Sequence, residues 1–135
     1  MKRIAYRAEM TACGTSKMKT NSYRDLIVWQ KSMELTILAY RLTATFPKDE
    51  IYGLTSQMRR AAVSIPSNIA EGYKRAHCGE YLQFLSIADG SAAELDTQLT
   101  IVSTLNYGET TLKQETMALL IEVQKMLFSM IRSMK

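Results

Sequence analysis

The sequence predicts an all-α chain, an antiparallel up-down-up-down four-helix bundle. Three observations carry that reading. Apolar residues recur at spacings of three and four along four long segments, and short breaks rich in Pro, Gly and Asn separate them. No stretch keeps the every-second-residue alternation of a half-buried strand. Short breaks make consecutive helices turn back on one another, which is the up-down arrangement.

The first helix is predicted from about Tyr23 to Thr45. Leu26, Trp29, Met33, Ile37, Tyr40 and Ala44 form its apolar stripe, and Ile27, Leu35, Leu38 and Leu42 add apolar surface outside it. Phe46-Pro47 ends it, because the residue before proline is pushed out of the helical region. The polar connection Lys48 to Gly53 leads to a second helix, predicted from Leu54 to Tyr73. There Leu54, Met58, Ala61, Ile65 and Ile69 share a narrow arc, opposite Arg60, Ser64, Ser67, Glu71 and Lys74. Pro66 interrupts this helix, removing a backbone hydrogen bond and crowding the carbonyl four residues back, at a cost of about 3 kcal/mol. The assembled fold must offset that cost, and Pro66 is expected to bend the helix to fit its neighbours.

A break at Lys74 to Gly79 precedes the third helix, predicted from Glu80 to Leu105. Its stripe is Tyr81, Leu85, Ala88, Ala92, Leu95, Leu99 and Val102. The small residues of ADGSAAE, Ala88 to Glu94, are expected to make the tightest helix–helix contact, with Gly90 at its centre. Asn106-Tyr107-Gly108 reads as a helix stop with Gly108 left-handed. Thr111-Leu112-Lys113-Gln114 then fits a capping box opening the fourth helix. That helix carries Leu112, Leu119, Val123, Met126 and Met130 on one face, broadened by Leu120, Leu127, Ile131 and Met134. The nine methionines are expected chiefly as core filler, since an unbranched thioether fits irregular gaps.

The domain organisation is a basic, flexible N-terminal extension over residues 1–22 and a bundle over residues 23–135. The net charge of +4 belongs to the extension, where Lys2, Arg3, Arg7, Lys17 and Lys19 face Glu9 alone. The bundle carries equal numbers of basic and acidic side chains, so nucleic-acid binding would need local clustering rather than a global field. Met18 sits just ahead of the structured part, so residues 1–17 are expected to be an extension or an upstream over-reading of the start. No apolar leader and no membrane-length apolar run occur in the sequence. Cys13 and Cys78 stand far apart in no metal or redox spacing, and the simplest reading is a cytoplasmic protein with reduced thiols.

Catalytic chemistry finds few candidates. A di-iron bundle needs Glu-x-x-His pairs, and the chain has one histidine, His77, without such a pair. No phosphate loop, zinc spacing or HExxH motif is present. Asp89 and Asp96 share a helix edge but stand roughly 10 Å apart at 1.5 Å per residue, which suits solvent-facing or salt-bridged carboxylates. No enzymatic activity, cofactor, metal or small-molecule substrate is expected. The basic group Arg59, Arg60, Lys74, Arg75 and His77 is the candidate nucleic-acid site, since arginine's planar fork holds phosphate through two hydrogen bonds. Lys74 and Arg75 also suit a helix C-terminus on electrostatic grounds alone. Ile27, Leu38, Leu42, Ile87, Ile101 and Leu105 cannot all enter one four-helix core, and self-association is the expected outlet for that surplus. Ser64, Ser67 and Glu71 complete the candidate interface.

These residues also carry a family resemblance. YRDLIVWQKSMEL, FPKDEIYGLTSQMRRAAVSIPSNIAEGYKR, EYLQFLSIADGSAAELDTQL and KMLFSMIRSMK resemble the four helix bundle family known as 23S rRNA-intervening-sequence proteins. The resemblance covers Tyr23 to Lys135, and its most specific part is SQMRRAAVSIPSNIAEG. It implies a small cytosolic bacterial bundle assembled as a homopentameric ring, without enzymatic activity. Relatives serve as accessory proteins of diversity-generating retroelements, which implies structured RNA or a reverse transcriptase as partner. The chain departs from the family pattern at three places. Ala88-Asp89-Gly90-Ser91 stands where an arginine-bearing stretch is common, and Ser86 where a basic residue is frequent. Phe128-Ser129 replaces a commoner Asn-Gly pair. The first two changes remove positive charge from the third helix. The expected function is RNA or RNA–protein binding by a homo-oligomer, with a structural or protein-interaction scaffold as the alternative.

Overall fold

The computed structural model describes residues 21–135. The expected extension falls almost wholly outside that range. At its edge, Ser22 Oγ accepts the Arg24 N–H at 3.1 Å and opens a 3-10 turn, Tyr23–Asp25. Four helices follow: α1 Ile27–Thr43, α2 Leu54–Lys74, α3 Cys78–Leu105 and α4 Thr110–Met134, with a second 3-10 turn at Lys48–Glu50. No strand occurs among the described residues.

Each helix packs on its sequence neighbours, and α1 closes the square against α4. Cross-helix contacts fix the directions. Arg59, near the start of α2, bonds Thr43 at the end of α1, while Tyr73 at the other end of α2 lies 6.5 Å from Tyr23. Tyr73 then meets Tyr81 at the start of α3 at 6.2 Å, and Ser64 meets Ser91 farther along. Sequence order runs opposite in each pair, so the bundle is antiparallel.

The core faces of α2, α3 and α4 follow their predicted stripes, but α1 presents a different face. Met33, Ile37, Tyr40 and Ala44 are exposed, while Val28, Ser32, Leu35, Thr36, Ala39, Leu42 and Thr43 are buried. Three of those buried residues are polar, which hides the true core face from a hydropathy reading. Their hydroxyls turn back on the helix: Ser32 Oγ donates to the Val28 carbonyl at 2.6 Å and Thr43 Oγ1 to that of Ala39 at 2.8 Å. A hydroxyl satisfied this way can be buried without a partner elsewhere.

Thr36 does more. Its Oγ1 lies 2.8 Å from the Ser32 carbonyl and 3.1 Å from the Ala62 carbonyl of α2. Ala62 stands four residues before Pro66, so its carbonyl is the one that proline deprives of an N–H. α2 runs unbroken through a buried Pro66 because α1 supplies the missing donor.

Three further expectations change. The close helix approach lies at Gly72 rather than Gly90. A Cβ on Gly72 would stand 2.7 Å from Phe84 Cβ and 3.3 Å from the Tyr81 carbonyl oxygen, whereas Gly90 faces open space. At the end of α3, Asn106 takes the left-handed conformation (φ 59°), and Tyr107 N–H reaches the Val102 carbonyl at 3.0 Å. This is the Schellman pattern. Gly108 is also left-handed (φ 80°), two residues later, where Leu42 and Phe46 press against it. The predicted capping box does not form. α4 opens at Thr110, and Glu109 caps it by accepting the N–H groups of Leu112 at 2.7 Å and Thr111 at 3.1 Å. Those two bonds hold the Glu109 carboxyl below its usual range.

Candidate functional site

The predicted basic group is divided by the length of α2. Arg60 and Lys74 lie on its outer face, separated by about 21 Å at 1.5 Å per residue. Arg59 is half-buried and bound into the fold: its Nε donates to Thr43 Oγ1 at 2.8 Å, and its guanidinium lies 4.7 Å over the Tyr40 ring. Arg75 sits between Glu71 at 3.0 Å and Glu80 at 3.8 Å, 4.8 Å over the Phe84 ring. Arg60, Lys74 and His77 remain exposed. The structure therefore supplies two separate basic points instead of one cluster, because residues adjacent to both ends of a 21-residue helix cannot meet.

The predicted interface residues also separate. Leu42 is fully buried and belongs to the core, packed where Gly108 closes the bundle, which corrects its assignment to the surface. Ile27 is half-buried against the core, and Leu38 is half-buried. Ser64 Oγ is bonded to Ser91 Oγ at 2.8 Å and receives Asn68 Nδ2 at 2.9 Å, so it joins helices within the bundle. Ser67 is exposed, and Glu71 is engaged by Arg75. Ile87, Ile101 and Leu105 are exposed at 45%, 42% and 48%, a true apolar surplus on α3.

The larger surplus went unread in the sequence, because it was assigned to the core. Met33, Ile37 and Tyr40 share the outer face of α1 beside α2, and Val63 of α2 and Ile51 extend the patch. At their junction lies a groove of about 650 Å³ lined by Tyr40, Ile51, Thr55, Arg59, Arg60 and Val63, among others. A second groove, about 510 Å³, runs along the α3/α4 seam past Leu99, Met117 and Ile121. Phe128 shares the face of Ile121 two turns on and is 62% exposed. Since α1 and α2 form one side of the square and α3 and α4 the other, these apolar seams lie on opposite sides of the bundle.

Carboxylate chemistry stays sparse. Asp96 accepts Gln124 Nε2 at 3.4 Å, and Asp89 is half-buried, which pushes its carboxyl above the usual range. Neither forms a salt bridge among the described residues. No group of three His, Cys, Asp or Glu side chains in that range could hold a metal. Cys78, exposed at the first turn of α3, is disulfide-bonded, which corrects the reduced-thiol expectation and removes it as a ground for a cytoplasmic chain. Cys13 lies outside the described residues. No described helix is long and apolar enough to cross a membrane.

The family model described as 23S rRNA-intervening sequence protein matches residues 24–129. No curated protein matches the chain.

Proposed function

The chain belongs to the 23S rRNA-intervening sequence protein family, and on that premise we propose that it is a non-enzymatic, self-associating interaction module. The placement of two apolar seams on opposite sides of one bundle carries this reading. An isologous dimer uses one patch twice, whereas two different patches facing away from each other suit head-to-tail contacts, which form a ring where the rotation between copies closes and a filament where it does not. The occupant of each seam is a second copy of this chain, and the ring of five implied by the family resemblance is the expected closure. Exposed large apolar side chains on both seams would otherwise stand in water, beyond what a monomer ordinarily presents.

Light scattering on the full chain tests the assembly. The expected mass is about five times that of the 15.3 kDa chain. A monomer at micromolar concentration overturns the reading.

Nucleic-acid binding is the second reading, favoured by the exposure of Arg60, Lys74 and His77 along and beyond the outer face of α2. A ring repeats these cations and adds avidity to contacts that are weak singly. A gel shift with structured RNA should then weaken steeply with salt and disappear in Arg60→Ala/Lys74→Ala. No shift at low salt would leave the protein as a scaffold without nucleic-acid affinity.

A further inference from the structure

We infer that the polar groove between α2 and α3 binds a small zwitterion of the α-amino acid class. The groove holds about 340 Å³ and is lined by Gln57, Arg60, Ala61, Ser64, Ser91, Glu94 and Gln98. That volume is at the low end for ligand pockets, which suits a ligand of few heavy atoms.

Its chemistry is uneven in an informative way. Arg60 on α2 and Glu94 on α3 line opposite walls, yet no ion pair engages either among the described residues. Deeper, Gln98 is only 9% exposed, and its Oε1 is buried without a hydrogen-bond partner. Leaving such an atom unsatisfied costs about 1–3 kcal/mol. The buried hydroxyls of Ser32, Thr36, Thr43 and Thr116 avoid this cost by donating to backbone carbonyls. Gln98 has no such internal solution. Its amide breaks no described bond on turning about its last torsion, so it can present either oxygen or nitrogen to the groove.

A ligand with one carboxylate and one ammonium satisfies all three groups together. The carboxylate takes the Arg60 fork, with two parallel hydrogen bonds available. The ammonium sits against Glu94 and donates to the Gln98 carbonyl. Ser64 and Ser91 close one end through their 2.8 Å hydroxyl contact and offer further polar atoms. A simple anion would leave Glu94 facing like charge, and a simple cation would do the same to Arg60.

Isothermal titration of the full chain with glycine, L-alanine, L-serine, L-glutamine and L-glutamate tests the inference, with acetate and methylammonium as the separate halves. At least one amino acid should bind with a Kd of about 1 mM or tighter, and neither half should. Arg60→Ala and Glu94→Gln should each weaken binding about tenfold or more, because each removes one of the ligand's two charged partners. Gln98→Leu should also weaken binding, yet raise the ligand-free melting temperature by removing the orphaned amide. The inference is overturned by silence from all five amino acids at about 10 mM. Binding of acetate as tight as that of the amino acids overturns it equally, as does binding retained in both charge variants.

Discussion

Replacing Thr36 with valine keeps the shape of the side chain and removes one hydroxyl. In the wild type that hydroxyl lies 3.1 Å from the Ala62 carbonyl, which Pro66 leaves without its helical N–H. Its other acceptor, the Ser32 carbonyl, is an ordinary interior carbonyl of α1. That group keeps its helical partner in the variant. The loss therefore falls on Ala62, whose carbonyl becomes buried and unpaired, and Thr36→Val should destabilise by about 1–3 kcal/mol. The decisive comparison repeats the substitution in Pro66→Ala. Alanine restores an N–H four residues after Ala62, so the carbonyl no longer depends on α1. Thr36→Val should then cost about 1 kcal/mol less than in the wild type, and that difference is the coupling energy of the double-mutant cycle. Urea unfolding followed by circular dichroism measures all four proteins, at one protomer concentration because assembly makes stability concentration-dependent. Equal costs in the two backgrounds would refute the claim that α1 repairs the proline defect.

Gly72 and Gly90 should respond to alanine with opposite signs. Gly72→Ala forces a methyl group against Phe84 Cβ and the Tyr81 carbonyl, neither a movable chain end, and should destabilise by about 1–2 kcal/mol even after alanine's helix preference is counted. Gly90→Ala meets open space and should stabilise by about 0.5–1 kcal/mol, both read as shifts in urea midpoint. Glu109 should make stability depend on acid pH. Its carboxyl is lowered in the folded state by the Leu112 and Thr111 N–H groups, so its contribution is present above the unfolded value of 4.5 and lost as pH falls through the folded value. Thermal unfolding of Glu109→Ala and wild type should differ at pH 7 and converge in acid; a constant difference would argue against the cap.

Helix number, order and direction were open to the sequence because Phe46-Pro47 and Asn106-Tyr107-Gly108 stop helices for local reasons. The faces of α2 to α4 were open too, since their buried positions are nearly all apolar. α1 was not. Ser32, Thr36 and Thr43 are polar by letter but bury themselves by bonding carbonyls, and Met33, Ile37 and Tyr40 are apolar by letter but point outward. Periodicity alone picked the wrong side of that helix. The cap of α4 moved by two residues because the Glu109 carboxylate takes the Thr111 and Leu112 N–H groups, so the helix opens ahead of Thr111. The basic cluster failed for a geometric reason. Arg60 and Lys74 are near in sequence, but a helix places them about 21 Å apart, whereas Arg59 and Arg75 found partners that only the folded chain brings near. Gln98 carried no signal at all, since a glutamine on a helix reads as surface until its neighbours bury it.

The head-to-tail assembly is tested most directly by complementation. Ile37→Asp spoils the α1/α2 seam and leaves the α3/α4 seam intact; Phe128→Asp does the reverse. Both positions are exposed, so each variant should remain helical. Sedimentation should find each variant monomeric alone and an equimolar mixture as a heterodimer, joined through the one intact seam that each contributes. A Phe128→Asp protein that still assembles like the wild type, or a mixture that stays monomeric, would contradict the account.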